Sequence, residues 1–514
     1  MSTSRTDLAA LLGSLYVTAA PHLQGDPVVV STGMATKSCA HNAELPASPL
    51  NDRLLGFQRA GVAFALEARR CIIGHDMGLG KTVQAIATLA ATPAPTPALV
   101  VCQPNLVLNW VREFAKWAPA MRIAVITGQT PGELPDAEVL IIGDSVLWHW
   151  HETLIAADPS AMVIDESQRM KSRGAKRTKA ALEISRKMKS DALIMLLTGT
   201  AIKGTNSELL SQLTILGVEE HFGGISGFMD RYMPKVDRFA RESANTVELF
   251  ERLSDSIYAR LEFEEVKYQF EAMGISTPGT PLRQAIPVEM TGTYAKQYTA
   301  ARDDLREFLV ATRGERRADS AMRAEALTRL GVLRHLIGLA KVDGTVAHVK
   351  NMVEDGEQVI VFAWHRDVVD AIVEALSVKH TVGKIYGGIK VEAVEETKAA
   401  FQAGDLDVIV LNIEAGATGH TLTASARVVF NEFAWSPSDM AQCEARANRL
   451  GQDRTVLSHW MTGANGVETI DERLVEIIND KAIITNATLN GRLDETMIQT
   501  DSVANALLYW AEFG

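Results

Sequence analysis

The chain has 514 residues, enough for two to four domains that each bury a core, and its 47% apolar and 22% charged residues exclude a disordered polypeptide. No apolar run approaches the roughly 20 residues that a membrane-spanning helix needs. The formal net charge of −12 argues, taken alone, against nucleic acid, but binding depends on where the positive side chains lie rather than on their sum.

The opening stretch, MSTSRTDLAALLGSLYVTAAPHL, holds one early arginine and a broken apolar run, which argues against a cleaved signal. Short apolar runs then alternate with helical stretches. Strands are predicted at 71–74, 98–102, 122–126, 139–142, 162–165 and 193–197, and again at 358–364, 407–412 and 427–433. Continuous apolar strands between helices imply parallel sheets covered on both faces, hence an α/β fold with two lobes. The more polar, helical stretch from about 203 to 345 reads as an insertion between them, with a basic cluster at 313–323. Nine basic residues lie between Arg169 and Lys189 against one acid, Glu183, whereas 466–514 holds nine acids and three bases. The basic run is either a solvated helix face or a phosphate-binding surface. Cys39, Cys71, Cys102 and Cys443 form no C-x-x-C pair, which argues against zinc or a disulfide framework and fits a reducing cytosol.

Three segments carry chemistry. HDMGLGKT, 75–82, follows a strand and opens an amphipathic helix, the context of a phosphate-binding loop. Asp76, Met77, Gly78, Leu79 and Gly80 form the loop that would cradle ATP. Lys81 would reach the β- and γ-phosphates and Thr82 would hold Mg2+. MVIDESQ, 162–168, ends a strand with Asp165 as a second magnesium contact and Glu166 to polarise the attacking water; the plainer alternative is a helix N-terminal charge pair. In QCEARANRLGQ, 442–452, Arg446 and Arg449 are three apart, so on a helix both guanidiniums share a face. They either neutralise a phosphoryl transition state from another lobe or are spare surface arginines.

Together these residues resemble the Swi/Snf-related ATPases of helicase superfamily two, most of all the annealing-helicase subgroup, over about residues 51–485. The resemblance implies two RecA-like lobes and adds roles segment by segment. LLGFQRAGVAFAL (54–66) would place Gln58 on the adenine, and VVCQPNLVLNWVREFAKW (100–117) would contact one DNA strand. LLTGTA (196–201) would link nucleotide to DNA through Thr198 and Thr200, and SIYARLEFEEV (256–266) resembles the brace before the second lobe. VIVFAWHRDVVDAI (359–372) continues the series, and EAGATGHTLTAS (414–425) would bring Gly416, Gly419 and Thr421 to DNA coupling. Four positions depart from the family: Gln168 for histidine, Ala201 for proline, His420 for leucine and Asn448 for histidine. None removes a magnesium ligand, the lysine or either arginine; coupling is what they affect, with Gln168 among the coupling residues.

The expected layout is an N-terminal extension (1–50), an ATP-binding lobe (51–240), a helical insertion and brace (241–345), a second lobe (346–485) and an acidic tail (486–514). The expected activity is DNA-stimulated ATP hydrolysis driving translocation on double-stranded DNA, to remodel or reanneal it. A strand-separating helicase or the motor of a restriction or defence complex uses the same motifs, and a nucleotide-gated DNA-binding module with little turnover is the alternative of another class. A monomer in the cytoplasm or on the nucleoid is expected, or in the host cytoplasm for a viral chain.

Overall fold

The structure is a computed structural model that describes residues 50, 53–92, 96–201, 206–235, 243–312, 320–416, 421–466, 468–478 and 503–513. Two compact units adjoin in sequence at Ile275 and Ser276. Among the described residues no helix is long and apolar enough to cross a membrane.

The first unit is a seven-stranded sheet in the order β3-β4-β2-β5-β6-β1-β7, every pair parallel. Its strands are β1 (Arg70–Ile73), β2 (Ala98–Cys102), β3 (Ile123–Ile126), β4 (Val139–Gly143), β5 (Ala161–Asp165), β6 (Leu193–Leu197) and β7 (Tyr258–Ala259). Alternate residues feed two apolar layers: Ile72, Leu99 and Val101 on one face, Cys71, Ile73 and Val100 on the other. Helices α1 (Gly56–Ala68), α2 (Lys81–Ala91), α3 (Val107–Trp117), α4 (Lys176–Lys187) and α5 (Phe263–Glu271) position the site. In register, Ile73 pairs with Leu197 and Leu197 with Asp165, so β1, β6 and β5 end side by side. The loops that leave those three ends therefore meet at the C-terminal edge of the sheet, where open α/β sheets bind ligands.

The second unit is a six-stranded parallel sheet in the order β10-β11-β9-β12-β13-β8. Its strands are β8 (Leu282–Glu289), β9 (Val359–Ala363), β10 (Val382–Ile385), β11 (Val408–Asn412), β12 (Arg427–Phe430) and β13 (Leu457–Ala464). The stretch 241–345 divides between the units instead of standing as one body: Thr246–Ser254, β7 and α5 belong to the first, and β8 begins the second. Pro287 hides β8 in the sequence; an edge strand tolerates a proline that a central strand does not. Helices α6 (Gly292–Ala311), α7 (Ser320–Ala340) and α8 (Val342–Glu354) cover this sheet, with α6 and α7 packed on each other. A buried polar cluster sits where α7 meets α8. Lys341, fully buried, pairs with Asp471 at 2.6 Å and donates to the Met461 carbonyl, and Thr345 donates to Asn431. Such buried charges are tolerated because each is paired and hydrogen-bonded. Within the expected acidic tail, Val503–Phe513 forms a helix (α9) whose Leu507, Leu508, Trp510 and Ala511 are buried in the same core as Tyr298, Leu305 and Leu309.

Candidate active site

The loop expected to bind phosphate leaves β1 at Ile73 and ends at α2. Gly80, the residue before α2, has φ 71°, and Gly78 has φ 86°, a left-handed backbone that favours glycine. A Cβ on Gly78 would meet nothing within 4 Å, so the loop is open above that residue. Lys81 Nζ donates to the carbonyls of His75 (2.8 Å) and Asp76 (3.1 Å), which aims it across the loop. Burial pulls its pKa below the usual lysine value, against the opposing pull of Glu166, Asp76 and Asp165. Thr82 is the second residue of α2, at the positive end of its dipole. Leu79 is fully buried, its carbonyl taken by Gln58 and Gln84, and buried His75, pushed down to about 3 by desolvation and then by Lys81 and Arg260, is neutral.

The carboxylates lie beside the loop. Asp165 ends β5; its Oδ1 accepts the Glu166 backbone N–H at 3.0 Å and its Oδ2 accepts the indole N–H of Trp110 at 2.9 Å. Burial first, and then Glu166, raise the Asp165 pKa to about 6. Glu166 holds a left-handed backbone, φ 49°, a conformation non-glycine residues adopt at a cost. A hydrogen-bonded line runs from it. Gln168 Nε2 donates to Glu166 Oε2 (2.6 Å), Thr198 Oγ1 donates to Gln168 Oε1 (2.7 Å), and the Thr200 N–H donates to Thr198 Oγ1 (2.9 Å). Gln168 therefore uses both ends of its amide, a role a neutral side chain fills without a change of charge. The Thr200 hydroxyl is buried without a hydrogen bond among the described residues, and a Cβ on Gly199 would lie 3.7 Å from Lys81 Nζ. Lysine, threonine hydroxyl, two carboxylates and an open glycine loop form a donor set that suits a nucleoside triphosphate with magnesium.

Several expected contacts have other partners here. The Asp76 carboxylate receives Arg260 Nη2 at 2.6 Å and the Phe263 N–H at 3.0 Å, so it fastens the loop to the 256–266 segment. Arg260 also donates to the Gly74 carbonyl at 2.7 Å. The Gln58 amide accepts the Leu55 N–H at 3.0 Å and donates to the Leu79 carbonyl at 3.5 Å, which seats it beneath the loop. Met77 lies beside Gly199, its Cγ 3.3 Å from where a Cβ would stand. Neither Arg260 nor Trp110 was singled out from the sequence, because their partners lie far away in the chain.

In the second unit the helix before the arginines is Pro437–Glu444; it stops there, so Arg446 and Arg449 lie on turns beyond it and not on one helical face. Beyond the helix the backbone carbonyls find other partners: the Leu422 N–H donates to the Arg446 carbonyl, and Gln452 Nε2 donates to that of Ala447 as well as to those of Thr423 and Ser425. Arg446 is buried, whereas Arg449 donates to the Thr421 hydroxyl at 2.8 Å. Gly416 closes the short helix Ile413–Gly416; Gly419 and His420 lie outside the described residues.

Each unit carries a family match. The family described as SNF2-related domain matches residues 43–273, and the helicase conserved C-terminal domain matches 341–451. The mouse protein named DNA annealing helicase and endonuclease ZRANB3 is 30% identical over 475 residues, 88% of this chain and 42% of its own length. The Xenopus tropicalis protein named SWI/SNF-related matrix-associated actin-dependent regulator of chromatin subfamily A-like protein 1 is 30% identical over 88% of this chain and 47% of its own length. The chain thus spans less than half the length of either relative. A solved structure, the Sulfolobus solfataricus SWI2/SNF2 ATPase core in complex with dsDNA, is 22% identical, covers 88% of this chain and 95% of its own, and superimposes with a TM-score of 0.39. The glycine loop and acid pair thus lie inside a match to the SNF2-related domain and the two arginines inside a match to the helicase conserved C-terminal domain, so the chain carries both domains in that order.

Proposed function

We propose that this protein is a DNA-stimulated ATPase that moves along double-stranded DNA, remodelling or reannealing it. The observation that carries the reading is the line Glu166–Gln168–Thr198–Thr200, which ties the carboxylate expected to handle water to the loop after β6. Lys81 holds the terminal phosphates, and the backbone N–H groups around Gly78 and Gly80 curl about the others. Magnesium, held by Thr82 and Asp165, would draw charge off the transferred phosphoryl group. Glu166 orients a water for in-line attack and takes its proton at a carboxylate oxygen, while Gln168 fixes the other oxygen. Arg446 and Arg449 are assigned the charge that develops on the phosphoryl oxygens.

The DNA side of the proposal rests on charge that has no ion pair among the described residues. Arg169 and Arg177 both bind buried Asp144, at 2.8 and 3.0 Å, and Lys171 and Lys189 pair with Glu208 and Asp158. Lys176, Lys179, Arg186 and Lys187 line the exposed side of α4. Phosphate contacts of that kind are sequence-independent and weaken steeply with salt. Two assays at low salt test the reading: displacement of a third strand from a triplex, and unwinding of a tailed duplex. Triplex displacement without unwinding is expected. Robust unwinding with no response to blunt duplex favours a strand-separating helicase instead.

A further inference from the structure

Among the described residues, Trp110 is the one large aromatic whose polar atom hydrogen-bonds the acid pair. It is fully buried, packs against Phe114 and sits in the apolar layer with Val100, Cys102 and Val163. Filling that layer needs a ring but no N–H, and a buried indole needs an acceptor. Here the acceptor is Asp165 Oδ2 at 2.9 Å, across 55 residues of sequence. The spacing is set by the fold: β2 lies beside β5, Val101 pairing with Ile164, and α3 starts after β2. Leu106, Trp110 and Phe114, four apart, form the inward face, while Leu108, Asn109, Arg112 and Lys116 are exposed on the other.

We propose that Trp110 is a positioning residue that fixes the carboxylate of Asp165, which would hold magnesium, and transmits displacement of α3 to it. The inference deepens the functional reading above, since α3 lies in the 100–117 segment assigned to a DNA strand. Asp165 spends one acceptor position on the Glu166 N–H and one on Trp110, which pins the rotation of the carboxylate and leaves both oxygens able to take a further partner. A hydrogen bond at this distance weakens steeply with a shift of about half an ångström or more, so a small slide of a DNA-bound α3 changes how Asp165 is aimed. Outer partners that orient a metal-binding carboxylate in this way typically alter metal affinity by about 10- to 100-fold.

The test compares the full chain with Trp110→Phe, which keeps a ring and removes the N–H. Mn2+ bound to the ADP complex is titrated by electron paramagnetic resonance, ADP binding is measured in EDTA, and ATPase is measured with and without blunt duplex. The expected result is unchanged ADP binding in EDTA and a Mn2+ half-saturation raised about tenfold. The DNA-stimulation ratio is expected to fall about threefold or more. A folded variant with wild-type Mn2+ half-saturation overturns the proposal, and a raised Mn2+ requirement with an unchanged stimulation ratio overturns its coupling part. Should the phenylalanine variant not fold, 3-benzothienylalanine at position 110, the same shape with sulfur for N–H, makes the same comparison. A wild-type protein that no duplex stimulates refutes the functional reading instead, and the Mn2+ comparison then decides the role of Trp110 by itself.

Discussion

Exchanging Gln168 for glutamate asks whether its amide N–H is what holds Glu166 in place. Gln168 is buried, donates to Glu166 Oε2 at 2.6 Å and accepts from Thr198 at 2.7 Å. Glutamate keeps the shape and the acceptor toward Thr198, but sets a carboxylate oxygen where the donor stood. Two unit charges about 3 Å apart at an effective dielectric of about 20 repel by roughly 5 kcal/mol. Gln168→Ala, in contrast, forfeits hydrogen bonds to a charged group worth about 1.5–3 kcal/mol. The glutamate pair relieves its repulsion either by swinging Glu166 away or by capturing a shared proton. A shared proton restores a donor toward Glu166, so activity of Gln168→Glu is highest at low pH and declines as pH rises and the proton is lost. The loss in Gln168→Ala is independent of pH. Phosphate release at saturating ATP and duplex, followed from pH 6 to 9, separates the two. At pH 8, a loss of even half the repulsion energy corresponds to a rate about 10²-fold below wild type. A Gln168→Glu protein with the wild-type rate at pH 8 and a flat profile would refute the reasoning.

Four further outcomes are expected. Lys81→Ala weakens nucleotide binding, whereas Glu166→Gln leaves ATP bound and uncleaved; equilibrium binding beside single-turnover hydrolysis distinguishes them, and normal turnover by Glu166→Gln rules out its role. Arg446→Ala and Arg449→Ala each lower DNA-stimulated hydrolysis by on the order of 10³-fold, and wild-type rates in both would remove the arginines from the mechanism. Asp76→Asn strands the buried Arg260 guanidinium; because Asp76 is about one-third exposed, the cost is about 2 kcal/mol, below the range for a fully buried pair, and calorimetry should show melting of the first unit about 4–8 °C lower. Asp165 has its folded pKa raised from 3.8 to about 6, chiefly by burial, so its ionised form opposes folding above that pH, and stability is recovered as pH falls toward 4. Asp165→Asn should therefore melt higher than the ligand-free wild type at pH 8, with the gap closing on acidification; equal melting at pH 8 would count against the assigned environment.

What could be read from the sequence was local. HDMGLGKT, MVIDESQ and LLTGTA each lie at a strand end and carry their chemistry in consecutive residues, and the parallel register brings those ends together. Arg260 and Trp110 gave no such signal. Arg260 acts on a loop some 186 residues away and Trp110 on a carboxylate 55 away, so only strand order connects them. Strand β8 escapes because Pro287 and the polar Arg283, Gln284 and Glu289 read as non-strand, and the helix before Arg446 reads as too long because side-chain capture of carbonyls by Gln452 leaves no periodicity signal. The acid count over 466–514 likewise concealed the apolar face of Val503–Phe513.

That last helix has a bearing on how the chain matures during synthesis. The second unit starts at β8, whose partner β13 lies more than 160 residues downstream, and its core is sealed by Leu507, Leu508, Trp510 and Ala511. A ribosome therefore releases β9 to β12, with their nearly continuous apolar sequences, well before the edge strand can pair or the sealing helix can dock. Long-range parallel pairing is slow even in a free chain, and partly assembled sheets of this kind expose apolar surface to other nascent chains. Every described strand of the first unit is complete by Ala259, so its sheet can form while the rest is still being translated. Nascent-chain proteolysis should thus find the nucleotide-binding half protected early and the other half vulnerable until residue 511 has emerged.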